Sequence, residues 1–164
     1  MNDEVRSVGI DSSTKRTGIS LFINGKYKWH KLVDKSHISD IDFRINEMGK
    51  EIINTLQQIK PTMVFIERPQ GYGKNVDLVR KLAEVMGFVR IWCIMSGVYY
   101  EECNPSVWRK YIGIQQGKKK RAELKAESIA YVKKVYGIDC TDDEADSICL
   151  CGAMINKYKG EHGK

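Results

Sequence analysis

Residues 5–25 read VRSVGIDSSTKRTGISLFING, and this stretch decides the fold. Two largely apolar runs, 5–11 and 18–24, flank a polar turn and therefore predict two β-strands. Asn24-Gly25 closes the stretch and is a strong signal for a two-residue hairpin turn. The chain is thus expected to open with a meander of three antiparallel strands.

Helices and strands alternate after the third strand, which is predicted at 26–33. Apolar residues recur at helical spacing between 40 and 60, and Pro61 ends that helix. The later elements are predicted to be a strand at 62–67, an irregular glycine-rich segment at 71–75, a helix at 75–89, a strand at 97–102, a connection through Asn104-Pro105, and helices at 119–136 and 142–158. This order indicates an α/β fold with a mixed sheet, formed by one domain over residues 1–164.

The composition is that of an ordinary soluble globular protein. The chain has 164 residues, of which 42% are hydrophobic and 29% are charged. No apolar run approaches the ~18 residues of a membrane span, and the polar N-terminus argues against a secretory signal. The five cysteines contain no C-x-x-C pair, which argues against a disulfide framework and a structural zinc site. These features predict a cytoplasmic protein with reduced thiols and no membrane partner.

Two short basic segments stand out in a chain whose net charge is +6. Lys15-Arg16 lies between the first two predicted strands, and Lys118-Lys119-Lys120-Arg121 forms a block at a predicted helix start. Each segment could be a solvated turn or helix end. Each could also contact the phosphates of a nucleic acid, and charge alone does not decide between these roles.

Carboxylates occur in three settings where burial is expected. Asp11 ends the first apolar run, Glu67 ends the run 63–67, and Asp142-Asp143-Glu144-Ala145-Asp146 opens an otherwise apolar segment. A buried carboxylate is costly unless a cation neutralises it. In a basic chain, these settings together suggest a carboxylate cage for hard divalent cations that act on a phosphodiester.

The acids of the 142–146 cluster could have roles other than metal binding. Thr141 and Glu144 match a capping box, and Asp142 or Asp143 could complement the dipole of the helix. Asp146 lies beyond the first unpaired backbone donors. It shares a helix face with Asp143 at i+3 or with Asp142 at i+4, and spacing does not choose between them.

Simpler roles also exist for the two strand-end acids, since Asp11 could initiate a turn and Glu67 could be an exposed charge. As metal ligands, they would serve two Mg²⁺ ions about 4 Å apart, which activate water and stabilise the departing oxygen. Mg²⁺ prefers oxygen ligands and keeps several waters, so a few carboxylates suffice, and Mn²⁺ fits equally well. This chemistry needs no nucleophilic side chain, and the histidines (His30, His37 and His162) form no recognisable constellation.

The chain resembles the RuvC family of Holliday-junction resolvases, within the ribonuclease-H-like nuclease superfamily, and is most similar to its short phage-type members. The resemblance covers residues 7–155. It rests on an ordered set of short motifs: Gly9-Ile10-Asp11, Thr17-Gly18, Phe65-Ile66-Glu67, Lys74-Asn75, Lys81-Leu82, Gly113-Ile114 and Asp143-Glu144-Ala145-Asp146. Two departures are Ser12-Ser13, where the family often has Pro-Gly, and the loop after Glu67.

The resemblance implies a homodimeric, metal-dependent endonuclease of the bacterial or phage-infected cytoplasm that acts on four-way DNA junctions. Such enzymes nick two strands of like polarity symmetrically and leave 5′-phosphate and 3′-hydroxyl ends. By position, Asp11 would bridge two metal ions, Glu67 would hold one, and Asp143 with Asp146 would hold the other. The helix at 75–89 would also build the dimer interface, although its apolar face could simply belong to the core.

The resemblance also implies a catalytic lysine near the cut strand. Lys119 lies closest to the family position, although Lys118 and Lys120 are within one residue of register. Tyr72 could stack on a base of the opened junction or be an ordinary loop tyrosine. The predicted DNA-binding residues are Lys15, Arg16, Tyr72, Lys74, Lys118, Lys119, Lys120 and Arg121.

Three other functions compete with junction resolution. One is a different ribonuclease-H-like nuclease that acts on RNA or on another branched structure. The second is a structure-selective DNA-binding protein without nuclease activity, although acidic residues at a DNA-binding face disfavour it. The third is a sugar-kinase-like phosphate binder, suggested by residues 11–18, for which the chain lacks room for a second domain.

Overall fold

The computed structural model describes residues 4–69 and 75–162, which form one five-stranded sheet and five helices. In chain order the elements are β1 (Arg6–Asp11), β2 (Arg16–Ile23), β3 (Lys26–Asp34), α1 (Ile41–Ile59), β4 (Met63–Glu67), α2 (Val76–Ser96), β5 (Tyr99–Cys103), α3 (Pro105–Tyr111), α4 (Arg121–Tyr136) and α5 (Asp142–His162). Among these residues, no helix is long and apolar enough to cross a membrane.

The sheet is mixed, as predicted, with the strand order β3-β2-β1-β4-β5. The first three strands are antiparallel, and β1 pairs in parallel with β4, which pairs in parallel with β5. Asn24 and Gly25 both have positive φ angles, 51° and 75°, as the predicted hairpin turn requires. Since β1 is central and parallel to β4, the carboxyl ends of these two strands meet at one edge.

Helices cover both faces of the sheet. Val8 and Ile10 point to one face and pack in a core with residues of α1 and α2, such as Met48 and Val89. The other face carries Phe65 and is covered mainly by α5, with α3 and α4 outside it. The alternation of side chains along β1 and β4 thus separates two cores, because successive residues of a strand face opposite ways.

Two elements, α2 and α3, differ from the sequence prediction. Helix α2 continues to Ser96 rather than ending near 89, because its apolar residues continue and Gly97, at φ 64°, supplies the left-handed cap. Residues 105–111 form the helix α3, where only a connection was expected. Asn104-Pro105 is a helix start with proline in the first turn, where the missing N–H costs nothing.

Candidate active site

Asp11 and Glu67 are the last residues of the neighbouring parallel strands β1 and β4. Their strands are in register, with Ile10 opposite Ile66, so the two carboxylates leave the sheet side by side. Burial, followed by the charge of Glu67, raises the pKa of Asp11 well above its usual value. The parallel pairing of β1 with β4 therefore places both carboxylates at one edge of the sheet.

Two glycines let α5 lie directly on this end of the sheet. A Cβ atom at Gly18 would collide with the backbone carbonyl of Asp143, and one at Gly9 would collide with that of Ser147. The hydroxyl of Ser20 also donates a hydrogen bond of 2.8 Å to the Ser147 carbonyl. The close approach brings the first two turns of α5, with their acidic residues, to the ends of β1 and β4.

All four acids proposed as metal ligands line one cleft of about 490 Å³. Asp146 is almost fully buried, with 3% of its surface exposed. Among the described residues, the charged ones that line the cleft are Asp11, Glu67, Asp143, Asp146, Arg109, Lys119, Arg121 and Lys125. The structure thus collects in one place the four acids that the sequence places on two strands and one helix.

The acids affect one another electrostatically, as expected for a shared cation site. Burial, followed by the charge of Asp146, raises the pKa of Glu67 to about 7. Burial likewise raises the pKa of Asp146, whose Oδ1 atom is buried and lacks a hydrogen-bond partner among the described residues. A hard divalent cation would pair with the buried oxygen of Asp146 and reduce the repulsion among the acids. These residues therefore fit such an ion.

The acids do not converge on a single point in the present conformation. In the described part of the chain, no three His, Cys, Asp or Glu side chains are close enough together to hold one metal ion. Asp143 is instead bound to Lys125, whose Nζ lies 3.1 Å from Asp143 Oδ1 and 2.6 Å from Asp142 Oδ2. A cation held by these four acids would therefore require side-chain rearrangement, at Asp143 in particular.

Sequence reasoning missed two residues that line the cleft, Arg109 and Lys125, and a third, Trp108, that contacts one of its acids. Trp108 is fully buried, and its indole N–H donates a 2.8 Å hydrogen bond to Glu67 Oε2. The guanidinium of Arg109 lies 4.9 Å from the Trp108 ring centre, and its Nε atom is buried without a hydrogen-bond partner among the described residues. The Asn104-Pro105 helix start could have indicated Trp108 and Arg109, and Lys125 falls one helical turn after Arg121.

The predicted basic residues have different positions. Lys119 and Arg121 line the cleft, and Lys119 also forms an ion pair of 2.6 Å with Glu127. Lys15, Lys118 and Lys120 are exposed, and Arg16 pairs with Asp34 at 3.1 Å. The two remaining predicted DNA-binding residues, Tyr72 and Lys74, lie outside the described residues.

The capping role predicted for Glu144 is confirmed. Its carboxylate accepts a hydrogen bond of 2.8 Å from the backbone N–H of Thr141, and the Thr141 hydroxyl accepts one of 3.4 Å from the Glu144 N–H. Asp142 lies in the first turn of α5, as its dipole role requires, and also forms the ion pair with Lys125. Of the acidic cluster, the residues at 143 and 146 are therefore the ones that line the cleft.

Known proteins are similar to this chain in fold rather than in sequence. No protein-family model matches it, and no curated protein matches its sequence. RuvC from Thermus thermophilus, in complex with a Holliday junction substrate, superposes with a TM-score of 0.76 at 15% identity, covering 95% of this chain and 96% of that one. A second T. thermophilus RuvC structure gives 0.75 at 17% identity, with coverage of 96% and 97%.

A eukaryotic resolvase shares the architecture more distantly. The yeast mitochondrial Holliday junction resolvase gives a TM-score of 0.55 at 13% identity, covering 93% of this chain and 78% of that one. These likenesses agree with the predicted mixed sheet and its flanking helices. The chain has the ribonuclease-H-like fold of the RuvC Holliday-junction resolvases.

Proposed function

We propose that this chain is a divalent-metal-dependent endonuclease that resolves four-way DNA junctions. The observation that carries the proposal is the cleft in which Asp11, Glu67, Asp143 and Asp146 come together from two strands and a helix. A basic chain with buried acids at one sheet edge suits a site where cations act on a phosphodiester. The end-to-end likeness in fold to RuvC, solved with a Holliday junction, supports the choice of substrate.

The proposed roles are those that the resemblance to the resolvases implies for these cleft-lining residues. Asp11, at the end of the central strand β1, would be shared by two ions, with Glu67 on one side and Asp143 and Asp146 on the other. Bound divalent ions would supply water activation and neutralise charge on the phosphodiester. Lys119 would contact the DNA near the cut.

The proposal extends to the products and the assembly. We propose paired symmetric nicks that leave 5′-phosphate and 3′-hydroxyl ends, made by a homodimer whose two sites face the two cut strands. The exposed apolar side chains of α2 support this assembly, since Ile91, Ile94 and Met95 are 57%, 62% and 82% exposed. We also propose that residues 1–164 act as one nuclease domain in the cytoplasm of a bacterium or phage-infected host.

The decisive experiment is cleavage of a labelled four-way junction by wild type and Asp11→Asn, with and without Mg²⁺ or Mn²⁺. We expect paired nicks from the wild type only, and only with the metal. Flaps, linear duplexes and RNA–DNA hybrids are cut in parallel. Preference for an RNA hybrid would replace this proposal with the other nuclease function, and binding without cleavage would support a non-catalytic junction-binding protein.

A further inference from the structure

An internal cation already occupies part of the acidic cleft. Lys125 extends from α4, and its ammonium lies 2.6 Å from Asp142 Oδ2 and 3.1 Å from Asp143 Oδ1. Only 18% of the side chain of Lys125, and 18% of that of Asp143, is exposed. The ion pair Lys133–Asp139 involves the same helix, but its side chains are 55% and 88% exposed.

The two partners of Lys125 differ in their surroundings. Asp143 lines the cleft together with Asp11, Glu67 and Asp146. Asp142 is not among the described residues that line the cleft, and its side chain is 40% exposed. An ammonium that leaves Asp143 therefore keeps a carboxylate partner within reach and remains charge-compensated.

A divalent ion at Asp143 must compete with this ammonium. Both cations need the oxygen lone pairs of the same carboxylate, and like charges a few ångströms apart repel strongly in a partly buried site. In the described conformation the ammonium of Lys125 already occupies one oxygen of Asp143, at 3.1 Å.

We propose that Lys125 is a positioning residue that holds Asp143 while the cleft is metal-free and shifts to Asp142 alone when a divalent ion binds. Lys125 thereby weakens ion binding on the Asp143 side of the cleft and stabilises the acidic cluster when the ion is absent. This inference rests on the proposed function only for the assignment of Asp143 as a metal ligand.

The test is calorimetric titration of MgCl₂ into the metal-free protein without DNA. Lys125→Met is expected to bind Mg²⁺ at least about fivefold more tightly than wild type, because a nearby repelling charge is removed. Its unfolding temperature should fall without metal and rise more than that of wild type when MgCl₂ is added. Lys133→Met, on the same helix but away from the cleft, is the matched control and should leave Mg²⁺ affinity unchanged.

A charge-balanced variant keeps the test valid if Lys125→Met does not fold without metal. The double variant Asp142→Asn/Lys125→Met has the wild-type net charge but frees Asp143, so it should also bind Mg²⁺ more tightly than wild type. Equal or weaker affinity in both variants would overturn the role of Lys125 and leave the nuclease proposal standing. Tighter Mg²⁺ binding in a protein that cuts no DNA would support the role of Lys125 while contradicting the nuclease proposal. Absence of Mg²⁺ binding by all variants would overturn both.

Discussion

At the level of single residues, the buried carboxylates of the cleft are costly to the stability of the fold. Asp146 is almost entirely removed from water, and one of its oxygens lacks a hydrogen-bond partner among the described residues. Burial of an unpaired carboxylate is costly, and either protonation or a bound cation relieves that cost. Because of this burial and the oxygen without a partner among the described residues, Asp146 is the acid of the α5 cluster with the strongest case for a functional role.

Replacement of Asp146 should separate cleavage from binding. Asp146→Asn is expected to lower junction cleavage by at least about 100-fold, because even residues that only orient metal ligands cost about 10–100-fold when changed. Junction binding should persist or become tighter, because a negative charge near phosphates is removed. Gel-shift and cleavage assays measure the two effects, with the exposed Asp139→Asn as control. Mg²⁺-dependent nicking at the wild-type rate would exclude Asp146 as a ligand.

Glu67 should make the metal-free protein less stable as pH rises. Its folded-state pKa is about 7 and its ordinary value is 4.5, so the native state binds the proton more tightly than the unfolded chain. The resulting stability is present below about pH 4.5 and is lost as pH rises through about 7. Glu67→Gln should therefore stabilise the metal-free protein by about 1–3 kcal/mol at about pH 8 and have little effect at about pH 4.

Thermal unfolding at both pH values tests this prediction, with Glu161→Gln, at the exposed end of α5, as control. MgCl₂ should stabilise wild type more than Glu67→Gln, because the ion neutralises the charge that the variant lacks. If Glu67→Gln were less stable than wild type at both pH values, the ionised carboxylate of Glu67 would not destabilise the folded protein.

At the level of elements, the short helix α3 positions a metal-ligand candidate that belongs to the sheet. Trp108 lies in the core between α3 and α5, and its indole N–H reaches Glu67 at the end of β4. A fully buried ring is fixed by packing, so the hydrogen bond fixes the carboxylate in turn. The element that sequence reasoning missed thus contributes to the geometry of the cleft.

Loss of that hydrogen bond should weaken the response to metal. Trp108→Phe keeps an aromatic ring but removes the donor, and we expect the Mg²⁺ concentration for half-maximal cleavage to rise by about 10-fold or more. Trp29→Phe, on β3 and packed in the other core, is the matched control. An unchanged Mg²⁺ requirement in Trp108→Phe would show that Glu67 is positioned without the indole.

The lysine block before α4 should act through phosphates. Replacing Lys118, Lys119 and Lys120 together by alanine is expected to weaken junction binding and to reduce the salt slope of the binding constant by about 1–3 units, since each phosphate contact contributes about 0.9. The pair Lys133→Ala/Lys134→Ala, in the last turn of the same helix, serves as control. A wild-type slope in the triple variant would place the block away from the DNA.

At the level of the whole molecule, the proposed paired nicks would need two acidic clefts, and the described residues of one chain form one such cleft. Paired nicks need two sites related by symmetry, and α2 presents an apolar surface to solvent that a second copy could cover. Ile91 and Met95 lie one turn apart on that surface. The exposed apolar surface of α2 therefore supports the proposed homodimer.

Sedimentation at micromolar concentration should therefore show a dimer. Ile91→Glu/Met95→Glu is expected to shift the protein to a monomer, because charges would be buried at the interface, and paired nicks should become single nicks. Val135→Glu, at an exposed position of α4, controls for added charge. A wild-type monomer that still makes paired nicks would contradict the assignment of α2 as the interface.

The sequence by itself was enough to predict the strands, most of the helices and the positions of the acidic residues along them. Alternating apolar runs and the Asn24-Gly25 turn act locally, so β1 to β3 could be predicted before any contact was known, and the end of each strand located Asp11 and Glu67. The boundary of α2 could not be read in the same way. Its apolar residues continue beyond the predicted end, and the cap that stops the helix depends on one left-handed glycine.

Only the tertiary structure decided which charges share the cleft. The close packing of α5 at Gly9 and Gly18 brings Asp143 and Asp146 to the strand ends, and α3 and α4 add Trp108 and Lys125. These partners are far apart along the chain, and no local pattern encodes their distances. The physical reason is that propensity and periodicity are properties of neighbouring residues, whereas desolvation and ion pairing depend on which surfaces the packed helices bring together.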